Sequence, residues 1–207
     1  LNRIFYNNLK EYFLPNGTVI FQAFTWSFIK KKKFNQHLTP PDIGAIEKYI
    51  FNKPGVVRSS HPTNSVIAFG KHKNFISKSH GLHSFGANSP FEKFKEINVK
   101  FVNIGIPFED SCTYVHHLEQ VNGSNHRFNK LINGKVFINK KYLKRNFYIL
   151  VKYKNIDISV DRNEKKFCDY LRKKNKLKST KDKNLLFSVI DCKDVYNIGL
   201  NLLKNDS

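Results

Sequence analysis

The feature that most constrains the fold is an almost continuously apolar run, VKFVNIGI at residues 99–106. A run that is apolar on both faces is typical of a parallel strand buried inside a sheet. The segment that follows, DSCTYVHHLEQV at 110–121, offers Asp110, Ser111 and Thr113, which are residue types that cap helix N-termini. We therefore expect a central strand that passes directly into a short helix, as in α/β folds.

The other apolar patterns alternate between strand and helix along the chain. The expected strands are TVIFQAFTW, GKVFIN, FYILVKY and NLLFSVIDC. The expected helices lie in LNRIFYNNLKEYF, PDIGAIEKYIFN, NSVIAFGKHKNFISKSH, SPFEKFKEIN, EKKFCDYLRKKNKL and KDVYNIGLNLLKN. The segment KKKKFNQHLTPPD is expected to be an exposed loop. Together these elements predict a three-layer α/β/α sandwich with a small antiparallel β appendage around residues 130–155.

Length and composition indicate one folded domain over residues 1–207. A chain of 207 residues can bury a sizeable core, and 40% hydrophobic residues with 19 Phe argue against disorder. No apolar run approaches the ~20 residues that a membrane span needs. Because the sequence begins at Leu1 and contains no Met, we expect a fragment or a processed chain. Three cysteines without a C-x-x-C spacing favour free thiols in a reducing cytoplasm.

The formal net charge of +20 suggests an anionic partner. The Lys and Arg residues are spread over many short segments, however, and spread charge is typical of a solvated surface. The charge alone therefore leaves a nucleic acid and a phosphorylated cofactor equally open as partners.

Histidine and glutamate recur at helical spacing in the segment after the apolar strand. Thr113, His116 and Glu119 lie three residues apart and so share one face of a helix. His117 is rotated by about 100 degrees from His116, so one of the two should face a cleft while the other packs or faces solvent. A carboxylate one turn along can fix the tautomer of a histidine ring and raise its basicity, so that the ring can act as a general base. A surface pair without a catalytic role has the same spacing.

A second unusual stretch is VVRSSHPTNSVIAFG at residues 56–70. Pro62 restricts His61 to extended backbone. An extended segment with Arg58, Ser59 and His61 can offer hydrogen bonds to a phosphorylated or amide-rich ligand. A turn held by capping hydroxyl groups uses the same residue types, so the pattern leaves both interpretations open.

Taken in order, these blocks resemble the aminoglycoside 3-N-acetyltransferase family. GTVIFQAFTW resembles the family's Gly-Thr strand, and RSSHPTNSVIAFG resembles its Arg-Ser-x-His-Pro-x-x-Ser segment with a later Ala-x-Gly. GANSPFEKF is similar to a Ser-Pro-x-x-x-Leu segment, with Phe94 in place of the Leu. TYVHHLE follows the strand as the family's Thr-x-x-His-x-x-Glu does. GKVFIN and DRNEKKFCDYL fit a looser pattern, so the resemblance covers nearly the whole chain.

The resemblance implies an acetyltransferase, without a metal, that moves acetyl from acetyl-CoA to an amino group of an aminoglycoside or another amino sugar. By motif, His116 would be the general base, Glu119 its orienting carboxylate, and Thr113 or nearby backbone N–H groups would donate to the oxyanion. The resemblance also implies a role in antibiotic resistance, a small-molecule acceptor, a cytoplasmic location and a possible homodimer, with neither a nucleic-acid nor a membrane partner.

The same resemblance carries Arg58, Ser59, His61 and Ser65 over to the cofactor side of the site. The family begins further upstream, with a helix, a first strand and a His-Ser-Ser-type turn, so we expect this chain to lack that N-terminal segment. Cys112, near the start of the predicted helix, could form an acetyl-cysteine intermediate, but the resemblance favours direct transfer.

Three alternatives remain. Seven of the eight histidines fall between residues 61 and 126, as in a metal-dependent hydrolase, although H-E-x-x-H is absent and HGLH contains a Gly that disfavours a helical ligand pair. A basic nucleic-acid-binding protein would explain the charge, although no DNA- or RNA-binding motif is recognisable. The third alternative is a truncated, inactive acetyltransferase.

Overall fold

A computed structural model describes residues 1–78, 80–138, 140–154 and 164–205. The helices are α1 (Asn2–Phe13), α2 (Ser27–Lys31), α3 (Ala45–Ile50), α4 (Lys73–Ser77), α5 (Pro90–Glu96), α6 (Tyr114–Asn122), α7 (Glu164–Lys173) and α8 (Cys192–Asn205), with a 3₁₀ turn at Phe108–Asp110. The strands are β1 (Thr18–Gln22), β2 (Lys33–Phe34), β3 (Val57–Arg58), β4 (Val66–Gly70), β5 (Lys100–Ile104), β6 (Arg127–Ile138), β7 (Lys141–Lys152), β8 (Lys178–Asp182) and β9 (Leu185–Asp191). The chain divides into two compact units, Leu1–Pro90 with Asn129–Leu150, and Phe91–Phe128 with Val151–Ser207.

The first unit contains an antiparallel sheet of order β1-β4-β3. In its register Thr18 pairs with Gly70 and Gln22 pairs with Val66. All four residues from Val66 to Phe69 are buried, so apolar side chains cover both faces of β4, which favours a strand. The predicted helix is therefore wrong over Val66–Gly70, and only α4 further along is helical.

A hydrophobic cluster packs around this sheet. Tyr6, Ala23, Ile50, Ile67 and Phe69 are its buried members. The rings of Tyr6 and Phe69 meet edge to face, with 5.3 Å between their centroids. Burial of each such side chain stabilises the fold by roughly 1.5–3 kcal/mol. The cluster thereby holds α1 and α3 against the strands that lead into and out of residues 59–65.

The second sheet of this unit has the order β2-β6-β7, with β2 parallel to β6. The predicted strands GKVFIN and FYILVKY are confirmed as parts of β6 and β7, which are longer than expected. The rings of Phe34 and Phe147 both pack edge to face on Phe28, at 6.5 and 6.3 Å. Because Phe34 is fully buried, the prediction of a wholly exposed loop from Lys30 to Asp42 is wrong at this residue.

The second unit contains an antiparallel sheet of order β5-β9-β8. The expectation of a central parallel strand at 99–106 is wrong, because β5 is an edge strand and pairs only with β9 among the described strands. Its apolar residues do not all turn inward: Val102 is 60% exposed and Ile104 is 45% exposed. An antiparallel edge strand with one covered face explains this alternation.

The helices and small sheets together form a mixed α/β fold. The described residues form three sheets of three strands each, and they do not confirm a three-layer sandwich. Within the described ranges, no helix combines the length and apolar character required to cross a membrane.

Candidate active site

Helix α6 carries the predicted catalytic side chains, and the chain enters it through a hydrogen-bonded connection. Ser111 Oγ donates to the carbonyl of Pro107 at 3.0 Å and accepts the side-chain amide of Asn103, which ties β5 to the start of the helix. Thr113 occupies the N-cap position, although no side-chain capping hydrogen bond forms there. Gly123 ends the helix in the left-handed conformation, with φ at 70°, which glycine adopts without steric cost.

His116 and Glu119 contact each other one turn apart on α6. His116 Nδ1 lies 2.7 Å from Glu119 Oε2. Since a carboxylate only accepts, the ring donates its Nδ1–H, and a neutral ring then carries its lone pair on Nε2. The side chain of His116 is 24% exposed and that of Glu119 is 8% exposed. The buried acid therefore sets the tautomer of a partly open histidine.

Glu119 is also held by two further basic side chains, which the sequence did not indicate. His126 Nε2 lies 3.0 Å from Glu119 Oε1, and Arg127 Nε lies 2.7 Å from Oε2. Burial alone would raise the pKa of Glu119, but the hydrogen bond and charge of His116, the charge of Arg127 and the hydrogen bond of His126 outweigh it and lower the pKa to about 2. Glu119 is therefore a fixed negative charge over the whole physiological pH range.

His117, the neighbour of His116, belongs to the hydrophobic core. It is fully buried, and its ring stacks on Tyr114 with 5.0 Å between centroids and lies 6.3 Å from the ring of Tyr196. Burial, with help from the charge of Lys95, lowers the pKa of His117 to about 4. His117 thus stays neutral near pH 7, and His116 is the histidine of the pair that is open to solvent.

Thr113 and Cys112 shape the first turn of α6 through their backbones. The N–H of Thr113 donates to the carbonyl of Ser111 at 2.8 Å, and the N–H of Cys112 donates to the carbonyl of Phe108 at 3.0 Å. The backbone N–H of Thr113 is therefore already engaged within the chain. All three cysteines of the chain are thiols.

In the first unit, Arg58 lies at the end of β3 and is almost completely buried. Its Nε donates to Ser65 Oγ at 2.9 Å, and its Nη1 donates to the carbonyl of Thr39. Its Nη2 donates to the carbonyl of Ala23 at 2.8 Å and to Thr25 Oγ1 at 2.5 Å. Burial lowers the pKa of Arg58 to about 10, against the opposing charge of Asp42. Four hydrogen bonds to the chain make this guanidinium a clamp that joins separate segments.

Ser59 and Ser65 lie at the two ends of the buried connection between β3 and β4. Ser65 Oγ donates to the carbonyl of Ala23 at 2.7 Å. Ser59 Oγ accepts the N–H of Val66 at 3.0 Å and is hydrogen-bonded to His80 Nδ1 at 3.1 Å. The two hydroxyl groups therefore supply hydrogen-bond partners for buried backbone groups: Ser59 for the N–H of Val66, and Ser65 for the carbonyl of Ala23.

His61 is enclosed within the same connection. Its Nδ1 accepts the backbone N–H groups of Thr63 and Asn64, at 3.3 and 3.2 Å. Burial lowers the pKa of His61 to about 3, although the carbonyls of Leu82 and Tyr148 oppose that fall. An accepting Nδ1 in a neutral ring leaves Nε2 as the protonated nitrogen, so His61 is a hydrogen-bond donor and not a base at neutral pH.

Replacing Arg58 with methionine should lower the free energy of unfolding by about 3 kcal/mol, because the change removes four hydrogen bonds, three of them to buried acceptors. Arg58→Lys should recover only part of this loss, since an ammonium cannot reproduce the planar fork. Urea unfolding measures the change, and replacement of the exposed Arg3 of α1 with methionine is the control. Equal stabilities of the Arg58 and Arg3 variants would rule out the clamp.

The seven predicted site residues thus form two groups. Arg58, Ser59, His61 and Ser65 lie in the first compact unit, and Thr113, His116 and Glu119 lie in the second. Within each group the structure brings side chains into direct contact, as Arg58 with Ser65 and His116 with Glu119.

Two residues of the second group, His126 and Arg127, were missed by sequence reasoning as partners of Glu119. The histidine count between 61 and 126 drew attention to His126 only as a candidate metal ligand. The signal that could have found them is their position just after Gly123, where the chain turns back beside the helix. Across the part of the chain that the structure describes, no group of three or more His, Cys, Asp or Glu is arranged to hold a metal ion.

Comparison with known families gives a match over almost the full chain. The sequence pattern of the family described as "Aminoglycoside 3-N-acetyltransferase" matches residues 2–204. Aminoglycoside N(3)-acetyltransferase III of Salmonella sp is 33% identical over 79 residues, which are 38% of this chain and 27% of that protein. The SPbeta prophage-derived aminoglycoside N(3')-acetyltransferase-like protein YokD of Bacillus subtilis strain 168 is 34% identical over 99 residues, which are 45% and 36% of the two chains. These matches span about a quarter to a third of the relatives' length.

Solved structures agree with this chain over a larger part of their length. AAC-IIIb in a binary complex with CoASH superposes with a TM-score of 0.82, covering 99% of this chain and 84% of that one at 17% identity. AAC-VIa bound to sisomicin gives a TM-score of 0.83, with 99% and 85% covered, also at 17% identity. At such low identity the likeness establishes a shared fold.

Proposed function

The chain belongs to the aminoglycoside 3-N-acetyltransferase family, and on that basis we propose that it transfers acetyl from acetyl-CoA to an amino group of an aminoglycoside or another amino sugar. The observation that carries the proposal is the contact of His116 Nδ1 with the permanently ionised Glu119. This contact directs the lone pair of the neutral ring to Nε2, where a general base needs it.

In the proposed reaction His116 Nε2 takes a proton from the acceptor ammonium. The resulting amine attacks the thioester carbonyl, the C–N bond forms and the C–S bond breaks. One of the two protons left on the nitrogen passes to the sulfur, so the products are a neutral amide and the thiol of coenzyme A. Glu119 stays ionised and stabilises the positive charge that His116 gains. The hydroxyl of Thr113 is the proposed donor to the oxyanion that develops on the carbonyl oxygen. Direct transfer needs no acyl group on Cys112.

The residues proposed for the cofactor side fit that role to different degrees. Arg58 spends four of its N–H groups on the chain, so it supports the wall of the site better than it would bind a phosphate. Ser65 is held by the same clamp. Ser59 and the neutral donor His61 lie in the segment between Arg58 and Ser65, which are hydrogen-bonded to each other. We propose that the backbone of this segment forms the surface beside the pantetheine arm of coenzyme A.

The choice of acceptor is open between a polycationic aminoglycoside and an amino sugar with fewer charges. Two acidic side chains near α6 are already paired with basic groups of the chain. The two carboxylate oxygens of Glu109 accept hydrogen bonds from Arg172 Nη2, at 3.0 and 2.7 Å. Glu119 contacts His126 and Arg127. Neither carboxylate is therefore available to attract a polycation. The proposed acceptor class accordingly includes amino sugars with a single amine.

Thermal-shift titration and thiol release test this function together on the chain as it stands. Acetyl-CoA should raise the melting temperature, as any ligand that binds only the folded state does. Coenzyme A thiol should then appear when sisomicin or glucosamine is added as acceptor. Binding without turnover would support the inactive-acetyltransferase alternative. Tight, salt-sensitive DNA binding without a shift from acetyl-CoA would contradict the proposal.

The proposal also covers the fold type, the location and the oligomeric state. We propose one acetyltransferase domain of three-layer α/β/α type over residues 1–207, working in the cytoplasm as a monomer or a homodimer on a small-molecule acceptor. The three thiols are consistent with a reducing compartment. Light scattering on the purified chain measures the oligomeric state.

A further inference from the structure

A strongly basic cleft in the first unit has no part in the proposed chemistry. It is an open cleft with a volume of about 800 Å³. Three segments that are distant in sequence line it: Lys32 and Lys33, then Asn133, Gly134 and Lys135, and finally Lys144, Arg145 and Asn146. Five of these eight residues are cationic, two are amides, and none is acidic.

The backbone around the cleft is built with tight contacts. Lys32 ends α2 in the left-handed conformation, at φ 56°, and its carbonyl accepts the N–H of Lys135 at 2.7 Å. A side chain at Gly134 would place its Cβ 2.6 Å from the ring of Phe28 and 2.8 Å from the carbonyl of Lys32, so only glycine allows this approach. The ring of Phe28 is fully buried and lies directly behind Gly134. Lys32, Gly134 and Lys135 are therefore held close together by backbone and ring contacts.

Among the described residues, no carboxylate compensates the charge of the cleft. From residue 120 to residue 156 the sequence contains nine Lys or Arg and neither Asp nor Glu. Among the residues that the structure describes, none of the five cations of the cleft forms an ion pair with a carboxylate. Lys33 Nζ lies 5.9 Å from the centroid of the Tyr142 ring, and Arg145 Nη1 donates to the carbonyl of Lys144. Like charges gathered in one cleft repel each other unless an anion binds between them.

We infer that this cleft binds a phosphorylated small molecule. Guanidinium and ammonium groups are the side chains that proteins use for phosphate, and Asn133 and Asn146 add amide donors and acceptors for hydroxyl or ring groups. A volume of about 800 Å³ lies in the range of roughly 300–1,000 Å³ that is usual for small-molecule sites. Eight lining residues form one local basic patch, which suits a small ligand better than the long basic groove that nucleic acids need.

The test removes two charges of the cleft and compares them with two matched charges elsewhere. The cleft variant is Lys135→Ala with Lys144→Ala, on neighbouring strands β6 and β7. The control variant is Lys178→Ala with Lys181→Ala, on exposed β8. Both variants lose two exposed strand lysines, so the net charge of the chain changes equally.

Inorganic pyrophosphate is the probe, and isothermal titration calorimetry on the full chain is the measurement. The cleft variant should bind pyrophosphate roughly tenfold more weakly than the control variant, because two charge-assisted contacts are lost. Affinity should also fall as salt is added. Equal pyrophosphate affinity in the two variants would overturn the inference. DNA binding that is tighter than pyrophosphate binding and equal in both variants would overturn it as well.

Steady-state kinetics identifies which phosphorylated molecule the cleft binds. The calorimetric binding test is independent of it, because that test needs neither an acceptor nor turnover. If the ligand is the acetyl donor itself, the cleft variant should raise KM for acetyl-CoA and leave KM for phosphate-free S-acetylpantetheine unchanged. If the ligand is a separate phosphorylated molecule, both KM values should stay unchanged while pyrophosphate affinity falls. Either outcome supports a phosphate site at the cleft.

Discussion

Replacement of His116 with alanine should lower kcat for acetyl transfer by about 10²- to 10⁴-fold, the usual contribution of a positioned general base. His116 combines a partly open side chain with a tautomer set by an ionised acid. Without the imidazole, the acceptor must lose its proton to water. KM for acetyl-CoA should change little, because the ring acts on the acceptor amine. Steady-state kinetics with saturating acetyl-CoA measures the effect.

Two further variants separate chemistry from folding. His116→Asn keeps an amide near the position of Nδ1, so it can still donate to Glu119, but it removes the basic nitrogen. It should be as inactive as the alanine variant while melting at the wild-type temperature. His37→Ala removes an exposed histidine elsewhere and should retain full kcat. An asparagine variant with near-normal kcat would remove His116 from the role of base.

Replacement of Glu119 with glutamine should lower both activity and stability. The amide no longer enforces the Nδ1–H tautomer of His116, so kcat should fall about a hundredfold or more. The same change leaves Arg127 and His126 beside a neutral group. Folding moves the pKa of Glu119 from 4.5 to about 2, and each pKa unit is worth about 1.4 kcal/mol. The free energy of unfolding at pH 7 should therefore fall by about 3 kcal/mol.

The pH dependence of that stability loss has a definite sign. The pKa of Glu119 is lower in the folded chain, so its contribution is complete above the unfolded pKa of 4.5 and is lost as pH falls toward 2. Wild type and Glu119→Gln should therefore differ most near pH 7 and converge between pH 4.5 and 2 in urea unfolding. Glu11→Gln, on the exposed face of α1, should follow wild type throughout. A gap between wild type and Glu119→Gln that does not change with pH would show that Glu119 is not stabilised by its charge.

The contact between His116 and Glu119 could be predicted from sequence because the relevant information is local. An i, i+3 spacing on one helix fixes which side chains meet, and His116 and Glu119 do meet. The rotation between His116 and His117 predicts that the two rings face different surroundings, but it does not say which of them is buried. The contacts of Glu119 with His126 and Arg127 were not predictable in this way, because they depend on how the chain turns after α6.

The strand partners could not be predicted for a similar reason. An apolar run such as 99–106 indicates a strand but does not say whether it lies in the middle or at the edge of a sheet, since exposed Val102 and Ile104 look the same in sequence as buried ones. At Val66–Phe69 the apolar run is too short to separate a buried strand from a buried helix. The nearest strand partners, β1 and β9, are distant in sequence from the strands they complete.

The role of Arg58 shows the limit of reading chemistry from residue type. In sequence, Arg beside serines and a histidine fits either an anion site or a turn held by capping hydroxyl groups. In the structure the guanidinium is directed to the carbonyls and hydroxyls of its own unit, with Ala23, Thr25 and Ser65 among its acceptors. Burial decides the difference, and burial depends on packing between residues that are far apart in the chain.

The most direct measurement is the rate at which acetyl appears on the acceptor amine, followed by mass spectrometry for wild type and His116→Asn at equal saturation with acetyl-CoA. Direct transfer with His116 as base predicts an acetylated amino sugar from wild type, no acetylated protein, and a rate at least about a hundredfold lower for the variant. Equal rates for the two proteins, or acetyl that accumulates on the protein before it reaches the amine, would contradict this mechanism.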